Sequence, residues 1–547
     1  MSKLHALKSA SSVRDVSILL GYSRPSALTY IIYKIPPSIK YSQFVIPKST
    51  GGVRTIMAPC AELKELQRRL SAFLTFCIEE VVADQRVQRP NFKDTLSHGF
   101  KKNRSVMTNA VIHRKKRYVL NLDISDFFGS INFGRVRGFF LENNNFKLHN
   151  KVATLLAQIC CHENCLPQGA PTSPVISNLI GHILDIRLAS LAKTYSLHYS
   201  RYVDDLSFST NQKKFPEDVA LLTSSNVWIP GRKLVSIIER SGFTINDKKT
   251  RLQYKNSRQD VTGMVVNSKI NTPSEYRRLA RAMAHRLFMS GSFERTVQEI
   301  DLSGNVVKKT SSGTLDQLVG VFSYIVSVDE FERNRRRVGG LEVPARLPMQ
   351  KVFSDLLFYR FFYSNQLPTI VCEGKTDVVY LRLAVRALYL SHPLLAGFNS
   401  ENKLECKVSF FNCSSTNANF LGLKGGSDPL RVFISKFADR QARFKAPMTN
   451  KPVIVLVDND SGAKSIYSLI KSITRSTDKI EGDQPFYAIT NKLYVVPVPK
   501  GPAGEDSKIE DLFPQWLLDT ELNGKKFNPE NVDLGVVIPP KNSGDQK

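Results

Sequence analysis

The chain has 547 residues, 42% hydrophobic and 23% charged, with 76 Lys and Arg against 49 Asp and Glu for a net charge of +27. That is the composition of a globular protein longer than one ordinary domain. No uncharged apolar run approaches the roughly 18 residues of a membrane span, residues 1–25 hold no apolar core of signal-peptide length, and eight cysteines without a paired framework fit a reducing cytosol.

The charge is uneven. Residues 365–547 hold 23 basic and 20 acidic side chains, leaving 53 and 29 for residues 1–364. An excess confined to one portion is the footprint of a surface that tracks phosphates.

In chain order, residues 1–35 read as a helical segment ending before Pro36-Pro37. Residues 44–48 and 53–56 are strand-like around Ser49-Thr50-Gly51-Gly52, a hairpin signal. From Ala61 to Glu80, Leu63, Leu66, Leu70, Phe73, Leu74 and Cys77 share one helical face. Residues 118–123 form a strand leading into a turn and helix, a helical stretch from Val152 precedes the loop Leu166-Pro167-Gln168-Gly169, and a further helix covers about 173–192. Alternation on both sides of Tyr202-Val203-Asp204-Asp205 predicts a hairpin with the two acids at its tip. From Ser274, an N-cap residue, the pattern turns helical and basic: Arg277, Arg281 and His285 lie on one face, with Arg278 and Arg286 beside them. Arg333 and Arg335 to Arg337, before Gly339-Gly340, read as a basic loop. Beyond about Asn365, unalternating apolar strands at 369–372 and 453–457, separated by helices, predict a buried parallel sheet; the tail after Asn528 reads as disordered.

Two adjacent carboxylates repel, so Asp204 and Asp205 make most sense with divalent cations and a polyanionic substrate. Asp123, at another strand end, supplies a third. Three such groups can hold two Mg²⁺ ions, one activating an attacking hydroxyl and one steadying a departing pyrophosphate. The cluster Cys160, Cys161, His162 and Cys165 lacks the companion pair that structural zinc sites draw from a second segment.

The ordered series Ile46-Pro47-Lys48, Gly51-Gly52-Val53-Arg54, Leu122-Asp123 through Phe128, Pro167-Gln168-Gly169, Tyr202 through Asp205, and Gly242-Phe243 through Lys249 resembles the finger and palm motifs of reverse transcriptases. Asn109-Ala110-Val111-Ile112-His113 and Val261-Thr262-Gly263 resemble the two distinctive elements of bacterial retron reverse transcriptases, with valine at 203 where alanine is common. The resemblance spans about 15–330. It implies an α+β right-hand polymerase with fingers and palm at 36–270 and a helical, RNA-binding thumb at 271–364. It further implies Asp123, Asp204 and Asp205 as metal ligands and catalytic residues, and Lys48, Arg54, Phe128, Gln168 and Gly169 around an incoming dNTP. Lys249, with Lys248 beside it sharing the description, would protonate pyrophosphate. Asn109, His113, Arg277, Arg278 and Arg281 would bind RNA, with a structural histidine as the alternative for His113. The partners implied are a cognate non-coding RNA and the DNA copied from it, primed by a 2′-hydroxyl of an internal guanosine to give a branched hybrid.

Glu373-Gly374 at one strand end and Asp458-Asn459-Asp460 at another resemble a TOPRIM domain, here over 365–547, and Ile509-Glu510-Asp511-Leu512 adds acids like those of overcoming-lysogenization-type nucleases. Residues two apart on a strand point the same way, so Asp458 and Asp460 can share a cation. The resemblance implies a mainly parallel α/β sheet, one or two Mg²⁺ ions at Glu373, Asp458 and Asp460, catalysis through Glu373, and a nuclease effector in antiphage defence with an unidentified nucleic-acid target. Two other readings stay open: a nuclease with the polymerase half as guide-RNA platform, and a non-catalytic RNA-binding scaffold. The oligomeric state stays open too.

Overall fold

The computed structural model describes residues 2–48, 52–88, 96–301, 305–340, 347–413 and 416–521. The turn at 49–51 and the tail after Asn528 lie outside them. The chain divides into two compact units, one drawn from Met1–Leu279, Glu294–Ser311 and Tyr324–Ala345, the other from Ala280–Phe293, Ser312–Ser323 and Arg346–Lys547.

In the first unit, β1 (Tyr41–Pro47) and β2 (Val53–Pro59) form an antiparallel, largely exposed hairpin with Pro47 opposite Val53. The helix α1 (Ala61–Gln88) outruns its expected end near 80 and buries Leu63, Leu66, Leu70, Phe73, Leu74 and Cys77. The sheet is built on β3 (Tyr118–Ser125), whose Val119, Leu120, Leu122 and Ile124 are all buried because it is covered on both faces. After the helix α2 (Ser173–Thr194) come β4 (His198–Tyr202), β5 (Asp205–Thr210), β6 (Thr244–Ile245) and β7 (Arg251–Tyr254). The order is β4–β5–β3–β6, with β7 on the same edge of β3 as β6 but farther back along the strand. By length and composition α2 is apolar enough to cross a membrane, but half of its most apolar window is buried, and Asp185 within it is ion-paired in the core.

Two further helices, α3 (Ser274–Ser290) and α4 (Leu315–Val338), each contribute residues to both units. The stretch 271–364, expected as one thumb, is therefore divided. The early turns of α3 are held by Arg277 on Asp329 within the first unit, whereas Phe288 packs on Tyr359 and Phe444 within the second. The expected basic loop at 333–337 is helical instead. Glu332 accepts Arg335 and Arg336 at helical spacing, which offsets part of the run's charge.

The continuous part of the second unit holds α5 (Pro348–Phe358), β8 (Thr369–Cys372), α6 (Lys375–Ala387), β9 (Ser409–Phe410), α7 (Ser427–Gln441), β10 (Val453–Val457), β11 (Tyr487–Ala488) and β12 (Leu493–Pro497). The sheet order is β9–β8–β10–β12–β11, parallel except for β11. Phe358, Phe362, Phe433 and Phe437 pack ring against ring beside it, with centroids 4.9 to 6.2 Å apart.

Candidate active sites

The β4–β5 turn is the two residues Val203 and Asp204, with Val203 at φ +59. A β-branched residue is costly there, so the surroundings must hold it. Arg201 does so. It is fully buried, donates from Nε and Nη2 to the two oxygens of Asp185 at 2.8 Å each, and from Nη1 to the Val203 carbonyl at 2.9 Å. Tyr199 adds a hydroxyl to Asp185 at 2.8 Å. Gly181 and Gly99 leave room for this clamp: a Cβ on Gly181 would lie 2.8 Å from the guanidinium, and one on Gly99 would lie 2.6 Å from Val203 Cγ2.

Register then sets the acids. Asp123 pairs directly with Asp205 across β3 and β5, and Ile124 N–H donates to the Asp204 carbonyl at 3.0 Å. Asp205 is pushed up to about 7, first by burial and then by Asp204 and Asp123. Burial also raises Asp204; Asp123 adds to this, while Lys249 and Arg54 oppose it. Of the adjacent lysines, Lys249 is the one on Asp123, at 2.7 Å, and this bond raises its own pKa; Asn246 donates to the other Asp123 oxygen at 3.2 Å. Among the described residues no three His, Cys, Asp or Glu side chains close around a metal position as they stand, and the Lys249 ammonium lies against Asp123 instead. The donor chemistry nevertheless fits divalent cations: three neighbouring carboxylates whose mutual repulsion a cation would relieve.

Around them, Lys48 and Arg54 are exposed on the β1–β2 hairpin. Gln168 accepts the Met57 N–H at 2.8 Å, which fastens the 166–169 loop to β2. Gly169 has φ +128, and a Cβ there would lie 2.7 Å from the Met57 carbonyl, so this contact requires glycine. Phe128 is half-buried and edge-on to Phe127 at 5.5 Å.

The RNA-binding expectations divide. His113 is fully buried, its two nitrogens 2.8 Å from Ser209 and Ser200, and Asn109, also buried, accepts the Ser200 hydroxyl at 2.6 Å. Both support the β4–β5 hairpin from beneath and are out of reach of an RNA on the surface. Arg277 is likewise spent on a two-pronged bond to Asp329 at 2.9 Å. Arg278 and Arg281 are exposed.

In the second unit, Glu373 follows β8 and Asp458 follows β10, neighbouring parallel strands with Cys372 opposite Leu456. Glu373 is pushed up to about 7 by burial and then by Asp458, Asp460 and Asp377. Asp458 is pushed up to about 6 by burial, against a bond from Ile509 N–H, with Asp377, Glu510 and Asp460 adding to the rise. Asp460 accepts Gly462 N–H at 2.8 Å. The donor set again fits a divalent cation. Asp377, to which the sequence reading gave no role, caps Gly374 at 2.7 Å in the first turn of α6; its spacing of four from Glu373 was the available signal. Arg201 and Asp185 were also missed, since an ion pair between a helix and a strand leaves no local pattern.

Strand-end carboxylates in register at a hairpin turn, with a lysine on one of them, place the first unit in the class of palm-type polymerase folds. Residues 46–266 match the family described as Reverse transcriptase (RNA-dependent DNA polymerase). The chain is 31% identical over 284 residues to the Retron Ec86 reverse transcriptase of Escherichia coli, covering 52% of this chain and 74% of that protein. It is 34% identical over 303 residues to the Retron Mx65 reverse transcriptase of Myxococcus xanthus, covering 52% of this chain and 65% of the relative. To the Retron Mx162 reverse transcriptase of the same organism it is 31% identical over 290 residues, covering 49% and 56%. The chain belongs to the retron reverse transcriptase family. It spans less than two thirds of the length of both Myxococcus relatives.

Proposed function

We infer that the first unit is an RNA-directed DNA polymerase that copies a cognate structured RNA, starting from the 2′-hydroxyl of an internal guanosine and leaving a branched RNA–DNA hybrid. The pairing of Asp123 with Asp205, with Asp204 at the turn between β4 and β5, carries this reading. Family membership supports the template and the priming mode. Two Mg²⁺ ions held by the three aspartates would activate the attacking hydroxyl and neutralise the departing pyrophosphate. Lys48 and Arg54 take the triphosphate, Gln168 and Gly169 shape the pocket, Phe128 crowds a ribose 2′-hydroxyl, and Lys249, kept charged by Asp123, donates a proton to pyrophosphate. Arg278 and Arg281 meet the RNA backbone.

The second unit, on this reading, is a TOPRIM domain acting as a Mg²⁺-dependent nuclease effector in antiphage defence, controlled by the hybrid in the bacterial cytoplasm. Its support is the carboxylate cluster at the carboxyl ends of neighbouring parallel strands, where open α/β sheets bind ligands.

Primer extension and sequencing of co-purified nucleic acid, before and after debranching, test the first assignment. Asp204→Asn with Asp205→Asn should reduce incorporation to background and remove the branched species; a double variant that still makes it refutes the assignment. Glu373→Gln should abolish cellular toxicity while leaving incorporation intact, and toxicity that survives it excludes the nuclease role.

A further inference from the structure

At the end of β3 away from Asp123, a shallow recess of about 330 Å³ is lined by Arg117, Tyr118, Tyr254, Lys255 and Asn256. Tyr118 lies five residues before Asp123 on the same strand, about 17 Å away at the rise of an extended chain, so the recess is separate from the palm carboxylates.

Its floor is rigid and aromatic. Tyr118 and Tyr254 face each other across β3 and β7, ring centroids 5.6 Å apart at 62°. Trp228 donates its indole N–H to the Tyr254 hydroxyl at 2.9 Å, the Tyr118 hydroxyl donates to the Lys213 carbonyl at 3.0 Å, and Phe215 packs against both Tyr118 and Trp228. Such a ring cluster seals a sheet edge without help from charge. Here the rim is cationic as well. The Lys255 N–H is bonded to the Arg117 carbonyl at 2.9 Å, which holds these two exposed residues side by side, and no Asp or Glu lines the recess.

A hydrogen-bonded aromatic face, 39% exposed at Tyr254, beside two exposed cationic residues and an amide able to donate and accept, is the chemistry that stacks a base and holds its flanking phosphates. We propose that this recess is a second nucleic-acid site, which binds an unpaired nucleotide of a single strand with its base on Tyr254 and its phosphates on Arg117 and Lys255. The inference rests on the reading that this unit handles nucleic acid, and it adds an anchor for strand lying outside the polymerising cleft.

The chain has two tryptophans, and Trp228 sits on the Tyr254 hydroxyl, so the full-length Trp516→Phe protein reports on this recess alone. With the cleft first saturated by primer–template, titration with an eight-nucleotide uridine oligomer should quench Trp228 fluorescence saturably. The quench should weaken about ten-fold in apparent affinity on Arg117→Gln with Lys255→Gln. A thymidine oligomer shows whether the site takes RNA, DNA or both. An abasic oligomer of the same length should leave the fluorescence unchanged. No quench, a quench equal in the double variant, or an equal response to the abasic strand overturns the proposal. Nucleotide incorporation by the same Trp516→Phe preparation tests the polymerase reading independently, so the two failures are distinguishable.

Discussion

Arg201 shows what one buried charge contributes to a catalytic turn. Both it and Asp185 are fully removed from solvent, and each satisfies the other in two-pronged geometry while the third guanidinium nitrogen fixes Val203. Arg201→Ala strands a buried carboxylate, so urea denaturation should show a loss of about 3–5 kcal/mol. Replacing both partners by apolar residues of similar size, Arg201→Met with Asp185→Leu, should recover most of that stability but not the incorporation rate, because nothing then holds the Val203 carbonyl. Recovery of both would show that the turn needs no clamp. His113 makes a different statement. Burial, with the charges of His198 and Lys116 adding, pushes it down to about 3, so it stays neutral in the fold while the unfolded chain takes up a proton near 6.5. The unfolded state then binds more protons, and the stability this residue contributes is lost as pH falls through 6.5 toward 3, at up to about 1.4 kcal/mol per pH unit. Urea midpoints at pH 6.5 and pH 5 should fall more steeply for the parent than for His113→Gln; equal slopes would mean that the imidazole is charged when folded. At this scale the sequence exposes the acids, because adjacent Asp204 and Asp205 are conspicuous. It hides burial, so Asn109 reads as an RNA contact and His113 as suited equally to an RNA surface or a core, although both are buried.

At the scale of elements, periodicity carries far. The apolar face of α1 is evident from Leu63 to Cys77, and the acids of the β4–β5 hairpin are where alternation places them. Boundaries and charge runs carry less: α1 continues to Gln88, and the run at 333–337 forms the last turns of α4, where Glu332 lies three and four residues before two of its arginines. What no local pattern reveals is the joint between the 166–169 loop and β2, a contact between backbones more than 100 residues apart. Gly169→Ala probes it. The added methyl meets the Met57 carbonyl at 2.7 Å in a backbone conformation that L side chains resist. A shift of about 1 Å in a substrate-positioning loop costs on the order of 100-fold, so kcat/KM for dNTP should fall by that order, mostly through KM, while far-ultraviolet circular dichroism stays unchanged. Unaltered KM would remove Gln168 and Gly169 from the nucleotide pocket.

Across the whole molecule, composition shifts near 365, whereas the second unit takes the chain from Arg346 and two earlier pieces of 271–364, and a continuous helix gives no sign of which neighbours its successive turns will meet. Charge is also only partly legible. The +24 of residues 1–364 overstates the surface available to phosphates, because Arg201, Arg277 and Arg335 are each bonded to a carboxylate of their own unit. The exposed remainder, including Lys48, Arg54, Arg117, Lys255 and Arg278, is what a polyanion meets. If about 6–10 phosphates are neutralised, log affinity for single-stranded RNA should fall against log salt with a slope of about −4 to −7. Fluorescence anisotropy of the full-length protein between 50 and 200 mM KCl measures it. Arg277→Gln should destabilise the fold yet leave that slope unchanged, because its charge is already matched by Asp329, whereas Arg117→Gln with Lys255→Gln should make it shallower by about one to two. A slope near zero would mean that the basic excess of residues 1–364 is a solvated surface and not a nucleic-acid interface.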